Sequence, residues 1–211
     1  MTMENIITQG AEAILIEKSN KEQDKTPILI KRRISKGYRL PILDIKLRKS
    51  RTKSESRLLQ KAEKLIPTPK VIKLSEKEFE IDMEFIKGKK LSESLDTLPN
   101  NKEICEKIGQ NIAKLHDADI IHGDLTTSNM ILSPENKLYF IDYGLGFTSK
   151  KAEDKAVDLH LIKQALEAKH FKNYEKFFSA VLEGYKISSQ AKAIIERLKK
   201  VEARGRYKQA Y

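Results

Sequence analysis

Cysteine is almost absent from this chain, whose 211 residues contain only Cys105. No intramolecular disulfide can form, which fits a reducing compartment. Cys105 lies in a helical pattern beside Ile104 and Ile108, and this favours a small core residue over a nucleophile. The chain also lacks an apolar run near the roughly 18 residues of a membrane span. Its start lacks the basic-then-apolar pattern of a signal peptide. We therefore expect a cytoplasmic protein without a membrane segment.

Acidic residues are few relative to basic ones, and the formal net charge is +11 with a pI near 9.5. Residues 31–57 hold eleven Lys or Arg against two acids, and residues 192–211 hold seven against two. Positive charge concentrated in two segments is typical of a surface that binds a polyanion. We predict nucleic acid as a partner, with a generally solvated, charged surface as the alternative.

The chain does contain a motif that predicts phosphoryl transfer. It reads Ile121-His122-Gly123-Asp124-Leu125-Thr126-Thr127-Ser128-Asn129, and Asp142-Tyr143-Gly144 follows. In protein-kinase-like folds an Asp accepts the proton of the substrate hydroxyl, an Asn five residues later holds Mg²⁺, and a second Asp holds the metal against the phosphates. The motif predicts Asp124 as catalytic residue and Asn129 and Asp142 as Mg²⁺ ligands. His-Gly-Asp by itself could instead be an ordinary turn before a strand.

The first part of the chain offers candidates for ATP binding. Gly10 stands in a turn between two predicted strands, where kinases have a loop with three glycines that presents backbone N–H groups to phosphate. Lys31 ends the apolar run Ile28–Ile30 and resembles the strand lysine that binds the α- and β-phosphates; Arg32 and Arg33 are rivals by charge. Glu55 is the only acid between Leu47 and Leu59 of a predicted helix, which favours it as the partner of Lys31; an exposed Glu paired with neighbouring bases is the alternative.

The remaining pattern predicts the rest of the architecture. The backbone groups of Glu84 and Ile86, after a predicted strand pair, would meet the adenine edge. Asn136-Lys137 predicts a turn in a hairpin that is flanked by the two metal ligands. Helices are expected at 42–65, from Asn100 or Asn101, and at 157–168, 172–185 and 188–203. Asp158 is expected to tie the catalytic loop to its helix. We predict an N-terminal lobe at 1–87, a C-terminal lobe at 88–203 and a flexible basic tail at 204–211.

Taken together, these features resemble a known family. Gly-Asp-Leu-Thr-Thr-Ser-Asn, the short segment after Asp142, the stretch Arg51-Thr52-Lys53-Ser54-Glu55 and the terminal Arg-Gly-Arg resemble the small atypical kinase subunit of the KEOPS tRNA-modification complex, the p53-related protein kinase family. The compact size is similar to that of archaeal members.

The resemblance implies an α+β fold, a minimal bilobal protein-kinase-like fold with a β-rich N-lobe carrying one helix and a mostly helical, truncated C-lobe. It also implies Mg²⁺ and ATP, an ATPase or atypical serine/threonine kinase activity, and service to a threonylcarbamoyl-transferase, other KEOPS subunits and tRNA. Tyr143 in place of Phe and the single glycine in the phosphate loop depart from the general kinase pattern.

Three other classes remain open at this point. Aminoglycoside- and choline-kinase-like enzymes share His-Gly-Asp, but they need a longer C-terminal region for a small-molecule substrate. RIO-type kinases are similar in size and basicity. A kinase-fold scaffold without activity would not need Mg²⁺ ligands. Gly123 replaces the Arg that meets a phosphorylated activation loop in many kinases, and no Ala-Pro-Glu follows, so we expect no switching by loop phosphorylation.

Overall fold

A computed structural model of the chain describes residues 2–10, 12–20 and 27–206. The chain divides into two compact units, residues 1–64 with 68–86, and residues 65–67 with 87–211. The strands are β1 (Thr2–Gln9), β2 (Ala13–Asn20), β3 (Ile28–Arg33), β4 (Val71–Ser75), β5 (Glu80–Glu84), β6 (Lys89–Lys90), β7 (Ile120–Ile121), β8 (Met130–Leu132), β9 (Leu138–Phe140) and β10 (Phe147–Thr148). The helices are α1 (Pro41–Ala62), α2 (Leu91–Ser94), α3 (Asn101–Asp117), α4 (Ala152–Lys169), α5 (Tyr174–Tyr185) and α6 (Ala191–Arg206). Within the described ranges, none of these helices could cross a membrane.

The first unit is a five-stranded antiparallel sheet with one helix. Its strand order is β1-β2-β3-β5-β4, so β3 lies in the middle. Strand β3 pairs with β2 on one side, where Lys31 lies opposite Leu15, and with β5 on the other, where Lys31 lies opposite Ile81. The apolar run Ile28–Ile30 of β3, with its two β-branched isoleucines, favours this pleated, half-buried position. Helix α1 packs against β4 and β5.

The start of helix α1 buries a face that the spacing of its apolar residues did not predict. The helix covers Pro41–Ala62 rather than 42–65, with Pro41 in its first turn. Leu43 is 48% exposed, whereas Asp44 is 2% exposed. The buried carboxylate of Asp44 accepts a hydrogen bond from Arg48 Nε at 2.6 Å, and from the Lys36 N–H at 3.3 Å. A buried charge with such partners is tolerated, so the polar face turns inward here.

The second unit is mostly helical. Helix α3 packs against α5, and α4 packs against α6 and α5. Three short strands form the sheet β6-β8-β9, and β10 pairs with β7, placing Phe147 opposite Ile121. The helices predicted after Asn129 are present, but α4 begins at Ala152 rather than 157, and strand β10 was not predicted. Cys105 is fully buried in α3, and burial raises the pKa of its thiol to about 12.

The C-terminal end differs from the expected boundary. Helix α6 continues to Arg206, so Arg204 is helical although we placed it in the tail. Its guanidinium Nη1 donates to Glu153 Oε1 of α4 at 2.5 Å. Helix α6 is therefore longer at this end than its apolar pattern indicates. Residues 207–211 of the predicted tail lie outside the described residues.

Candidate active site

The structure brings Lys31 and Glu55 together in the first unit. Lys31 Nζ lies 2.6 Å from Glu55 Oε1, and the two side chains are 10% and 1% exposed. Lys31 is on the central strand β3 and Glu55 on helix α1, where it faces the sheet. The alternative of an exposed, surface-paired Glu55 is therefore excluded by its burial.

Sequence reasoning did not predict that the carboxylate of Glu55 binds two basic side chains. Its second oxygen accepts a hydrogen bond from Arg33 Nη2 at 2.6 Å, and the Arg33 side chain is 5% exposed. Side chains two residues apart on a strand point to the same face, so Lys31 and Arg33 both reach helix α1. Arg32 points to the other face, where it pairs with Glu80. The alternation of side-chain direction along β3 could have predicted that Arg33 lies on the same face as Lys31.

Three other predicted ATP-binding positions are described in the same unit. The N–H of Gly10 already donates to Ala13 O at 2.9 Å inside the β1–β2 turn. That donor is therefore used by the chain itself, and the geometry of the turn lends no support to a phosphate contact there. The N–H of Glu84 donates to Lys70 O at 2.9 Å, while Ile86 is the last residue of the unit and is partly exposed. The roles of all three stay predictions.

The second unit places Asn129 next to the residue that precedes Asp142. Strands β8 and β9 form the predicted hairpin, with Met130 opposite Phe140. At its open end the N–H of Ile141 donates to Asn129 O at 3.0 Å. Asp142 follows with a φ of 63°, a left-handed conformation that Asp tolerates because its side chain can bond nearby backbone. Its Oδ1 accepts the N–H of Gly144 at 3.1 Å.

Asp124 is tied directly to Asn129. The carboxamide Nδ2 of Asn129 donates to Asp124 Oδ2 at 2.8 Å and to Asp124 O at 3.0 Å. Because the nitrogen faces Asp124, the carboxamide oxygen is turned the other way. The Asn129 carboxamide thus makes two hydrogen bonds to Asp124, and the backbone of Asn129 pairs with Ile141, the residue before Asp142.

The buried ring of His122 supports this loop. Nδ1 accepts the N–H of Asp124 at 3.3 Å, and Nε2 donates to Ile141 O at 3.1 Å. The ring also packs on Tyr143, with 4.5 Å between centroids. Burial lowers the pKa of His122, which keeps the ring neutral in this arrangement. Sequence reasoning gave His122 no role of its own, although it belongs to the motif.

Gly123 is required by the backbone. Its φ is 77°, and a Cβ at this position would lie 2.4 Å from the carbonyl oxygen of Leu145. The segment after Asp142 therefore returns close against the predicted catalytic loop, and no larger residue fits at Gly123. Asp158 of α4 accepts the N–H of His122 at 2.8 Å and of Gly123 at 2.9 Å. The predicted structural role of Asp158 is confirmed.

The donor set at the hairpin end fits Mg²⁺. Carboxylate and amide oxygens are the ligands this hard cation prefers, and it commonly takes one or two protein ligands together with substrate phosphates. Asn129 and Asp142 would supply such oxygens. In the described ranges no group of three or more His, Cys, Asp or Glu side chains could hold a metal by itself.

Several bases of helix α1 form ion pairs with carboxylates of the chain. Lys49 Nζ lies 3.3 Å from Glu76, and Arg51 bonds Glu12. Arg48 bonds Asp44 and stacks on the Phe79 ring at 4.0 Å. Arg48, Lys49 and Arg51 thus each have a carboxylate partner within the chain.

Comparison with known proteins identifies the group to which these residues belong. A family model described as RIO domain matches residues 30–159. The KEOPS complex subunit Bud32 of Pyrococcus abyssi is 43% identical over 97% of this chain and 96% of its own length. A probable bifunctional tRNA threonylcarbamoyladenosine biosynthesis protein of Methanobrevibacter smithii is also 43% identical, and this chain covers 37% of that longer protein.

A solved structure is similar in fold. The Rio2 kinase of Chaetomium thermophilum, solved as an ADP/Mg²⁺-phosphoaspartate complex, aligns over 97% of this chain and 71% of its own with a TM-score of 0.65. The two sequences are 16% identical, so this similarity concerns the fold alone. With the β-rich first unit and the helical second unit, it confirms the predicted α+β kinase-like fold.

Proposed function

Because the chain belongs to the RIO-domain family and, within it, to the Bud32 proteins, we propose that it is an Mg²⁺-dependent ATPase and atypical serine/threonine kinase of a KEOPS complex. In that complex it would support the formation of N6-threonylcarbamoyladenosine in tRNA. The assignment to a KEOPS complex and to this tRNA modification is based on its relatives, whose names state the complex and the modification. The alternative of a RIO-type kinase does not compete with this proposal, because the chain itself contains a RIO domain.

One observation carries the catalytic part of the proposal: the Asn129 carboxamide is hydrogen-bonded to Asp124, and the Asn129 backbone pairs with the residue that precedes Asp142. Asn129 and Asp142 would hold Mg²⁺ through side-chain oxygens. Asp124, fixed by the Asn129 carboxamide at 2.8 Å, would orient the attacking hydroxyl or water and accept its proton. The bound metal would neutralise phosphate charge in the transition state. A scaffold without activity has no need for this set, which argues against that alternative.

Lys31 would bind the phosphates of ATP, as the strand lysine does in kinases. Glu55 holds its ammonium at 2.6 Å, which fixes the long side chain in one position. Arg33 keeps Glu55 in place from the other oxygen. Glu84 and Ile86 would contact adenine through their backbone groups, and Gly10 would lie near the phosphates.

The short segment after Asp142 favours water or a tightly held partner residue as acceptor. Ser149 N–H donates to Asp119 O at 2.9 Å, and α4 begins at Ala152. This leaves no long platform on which a peptide substrate could lie.

The decisive experiment is ATP turnover by the purified chain with Mg²⁺, alone and with the transferase partner and tRNA. We expect turnover that requires Mg²⁺ and is abolished by Asp142→Ala, because loss of a metal ligand removes several kcal/mol of transition-state stabilisation. Asp154→Ala is a matched control in the same unit; Asp154 accepts from Ser149 and lies outside the proposed site. Unchanged turnover in Asp142→Ala would refute the metal assignment.

Contact with tRNA is tested separately from catalysis. Removing residues 207–211 leaves the Arg204–Glu153 pair intact. If residues 207–211 contact tRNA, truncation should weaken binding and reduce its salt dependence by roughly 0.7–0.9 log units per log salt for each lost phosphate contact. Unchanged affinity and slope, measured across a salt series, would remove the tail from the tRNA surface. A change in basal ATP turnover instead would favour a tail that acts on catalysis.

A further inference from the structure

A buried histidine outside the predicted site touches the catalytic loop. His170 lies just after helix α4 and is 2% exposed. Its Nδ1 is 2.6 Å from Asp96 Oδ2, and its Nε2 is 3.1 Å from the hydroxyl of Thr127. The ring packs edge-on against Phe177 at 6.0 Å between centroids. These contacts join three segments that are distant in sequence.

The Asp96 end of this chain of contacts is accessible to solvent. The Asp96 side chain is 41% exposed, and its Oδ1 accepts a hydrogen bond from Asn173 Nδ2 at 2.9 Å. Partial burial opposes the charge, but the hydrogen bonds from Asn173 and His170 outweigh it and lower the pKa of Asp96. The carboxylate is thus ionised and accepts a hydrogen bond from Nδ1–H of the ring, while the Thr127 hydroxyl hydrogen-bonds to Nε2 at the other end of the ring.

The Thr127 end lies inside the catalytic motif. Thr127 begins a short 3₁₀ turn, Thr127–Asn129, which follows Asp124 in the chain and ends at Asn129. Within it the N–H of Asn129 donates to Thr126 O at 3.0 Å. A carboxylate, a histidine and a hydroxyl in line also describe a nucleophilic triad. Thr127 is 0% exposed, so no substrate could reach its hydroxyl, and a nucleophilic role is excluded.

We propose that Asp96, His170 and Thr127 form a positioning relay that sets the 3₁₀ turn so that the Asn129 carboxamide stays on Asp124 with its oxygen presented to Mg²⁺. The hydroxyl of Thr127 is fixed by the buried ring, and the ring by the carboxylate of Asp96. Asn129 lies two residues after Thr127 in the same 3₁₀ turn. The position of the Thr127 hydroxyl therefore sets the direction in which the Asn129 side chain leaves the backbone. This inference rests on the proposed function, because Asn129 is a metal ligand only if the chain uses Mg²⁺.

The relay is tested with paired substitutions in the full chain. Thr127→Val removes the hydroxyl and keeps the shape, whereas Thr127→Ser keeps the hydroxyl. Asp96→Ala removes the exposed end. Ser188→Ala is the matched control, since it also deletes one hydroxyl bonded to a carboxylate, that of Asp117 at 2.6 Å, but away from the loop. Each variant is measured for kcat, KM for ATP, Mg²⁺ requirement, Tm and amide hydrogen exchange of residues 124–130.

We expect Thr127→Val and Asp96→Ala each to lower kcat by about three- to tenfold, the ratio that one net hydrogen bond is worth. The Mg²⁺ requirement should rise while KM for ATP changes little, and exchange of residues 124–130 should become faster. The double variant should be little worse than either single, because the residues act as a unit. Thr127→Ser should recover most of the turnover, and Ser188→Ala should keep wild-type turnover and Mg²⁺ requirement.

Thr127→Val with wild-type kcat, Mg²⁺ requirement and exchange would overturn the relay. So would Thr127→Ser as impaired as Thr127→Val, which would show that packing of the methyl group matters instead. A drop in Tm alone, without a change in Mg²⁺ requirement or loop exchange, would reduce the contacts to a structural tie and also overturn it. If the wild-type chain shows no Mg²⁺-dependent turnover, the proposed function fails, and loop exchange still decides whether the relay orders the turn.

Discussion

Neutralising Glu55 should destabilise the first unit much more than the same change at Glu80. The Glu55 side chain is 1% exposed, and its two oxygens lie 2.6 Å from Lys31 Nζ and 2.6 Å from Arg33 Nη2. In Glu55→Gln the ammonium of Lys31 and the guanidinium of Arg33 stay buried without this negative charge. Arg33 keeps a second carboxylate, that of Glu12, at 3.2 Å.

The size of the effect follows from burial. Removing one partner of a buried ion pair costs about 3–5 kcal/mol, which lowers Tm by roughly 6–20 °C in a chain of this size. Glu80→Gln is a matched control, because Glu80 pairs with Arg32 on the opposite face of β3, and the Arg32 side chain is 44% exposed. A pair with an exposed partner contributes about 0–1 kcal/mol.

Thermal unfolding of both variants, followed by circular dichroism at low and high salt, measures the difference. Salt should reduce the small effect of Glu80→Gln and leave that of Glu55→Gln largely unchanged, because buried pairs are screened less. A Tm loss in Glu55→Gln no larger than in Glu80→Gln would refute the argument from burial. In turnover assays, Lys31→Met and Glu55→Gln combined should be little worse than either alone, whereas fully multiplicative losses would show that they do not act as a unit.

Three further predictions concern the second unit. Asp124→Ala should lower ATP turnover by at least about a hundredfold while nucleotide affinity, measured by calorimetry, changes little, because a proton acceptor acts on the nucleophile; an equal collapse of affinity would make Asp124 a metal or structural residue. Tyr143→Phe should leave Tm unchanged or raise it by a few degrees, because the buried hydroxyl of Tyr143 has no hydrogen-bond partner in the described residues, and an unmet buried group costs about 1–3 kcal/mol; a clear fall in Tm would show that the hydroxyl is satisfied in solution. Cys105 should resist a thiol reagent in the folded protein at neutral pH and react after unfolding, because burial raises the pKa of its thiol to about 12; rapid reaction of the native chain would contradict that burial.

Local chemistry made much of the fold predictable. The turn at Asn136 and the apolar strands on either side indicated the β8–β9 hairpin, and this hairpin brings Asn129 beside the residue before Asp142. The apolar run before Lys31 indicated a central strand, and the scarcity of acids in the predicted helix indicated Glu55. Turns, apolar runs and local composition depend on residues that are close together in the chain, so they can be recognised in a single sequence. The helix limits were less certain, because α1 ends at Ala62 and α6 continues to Arg206.

Tertiary structure alone decided which polar groups are buried together. In α1 Asp44 is buried while the neighbouring Leu43 is 48% exposed, because Arg39 of the preceding loop and Arg48 of the next helical turn meet the Asp44 carboxylate. The relay joins His170 to Asp96 across 74 residues and to Thr127 across 43 residues. No periodicity or spacing links residues so far apart, since hydrogen bonds between them form only after packing has fixed the segments. The sequence by itself therefore determined the motif and its candidate ligands, while packing determined what holds that motif in place.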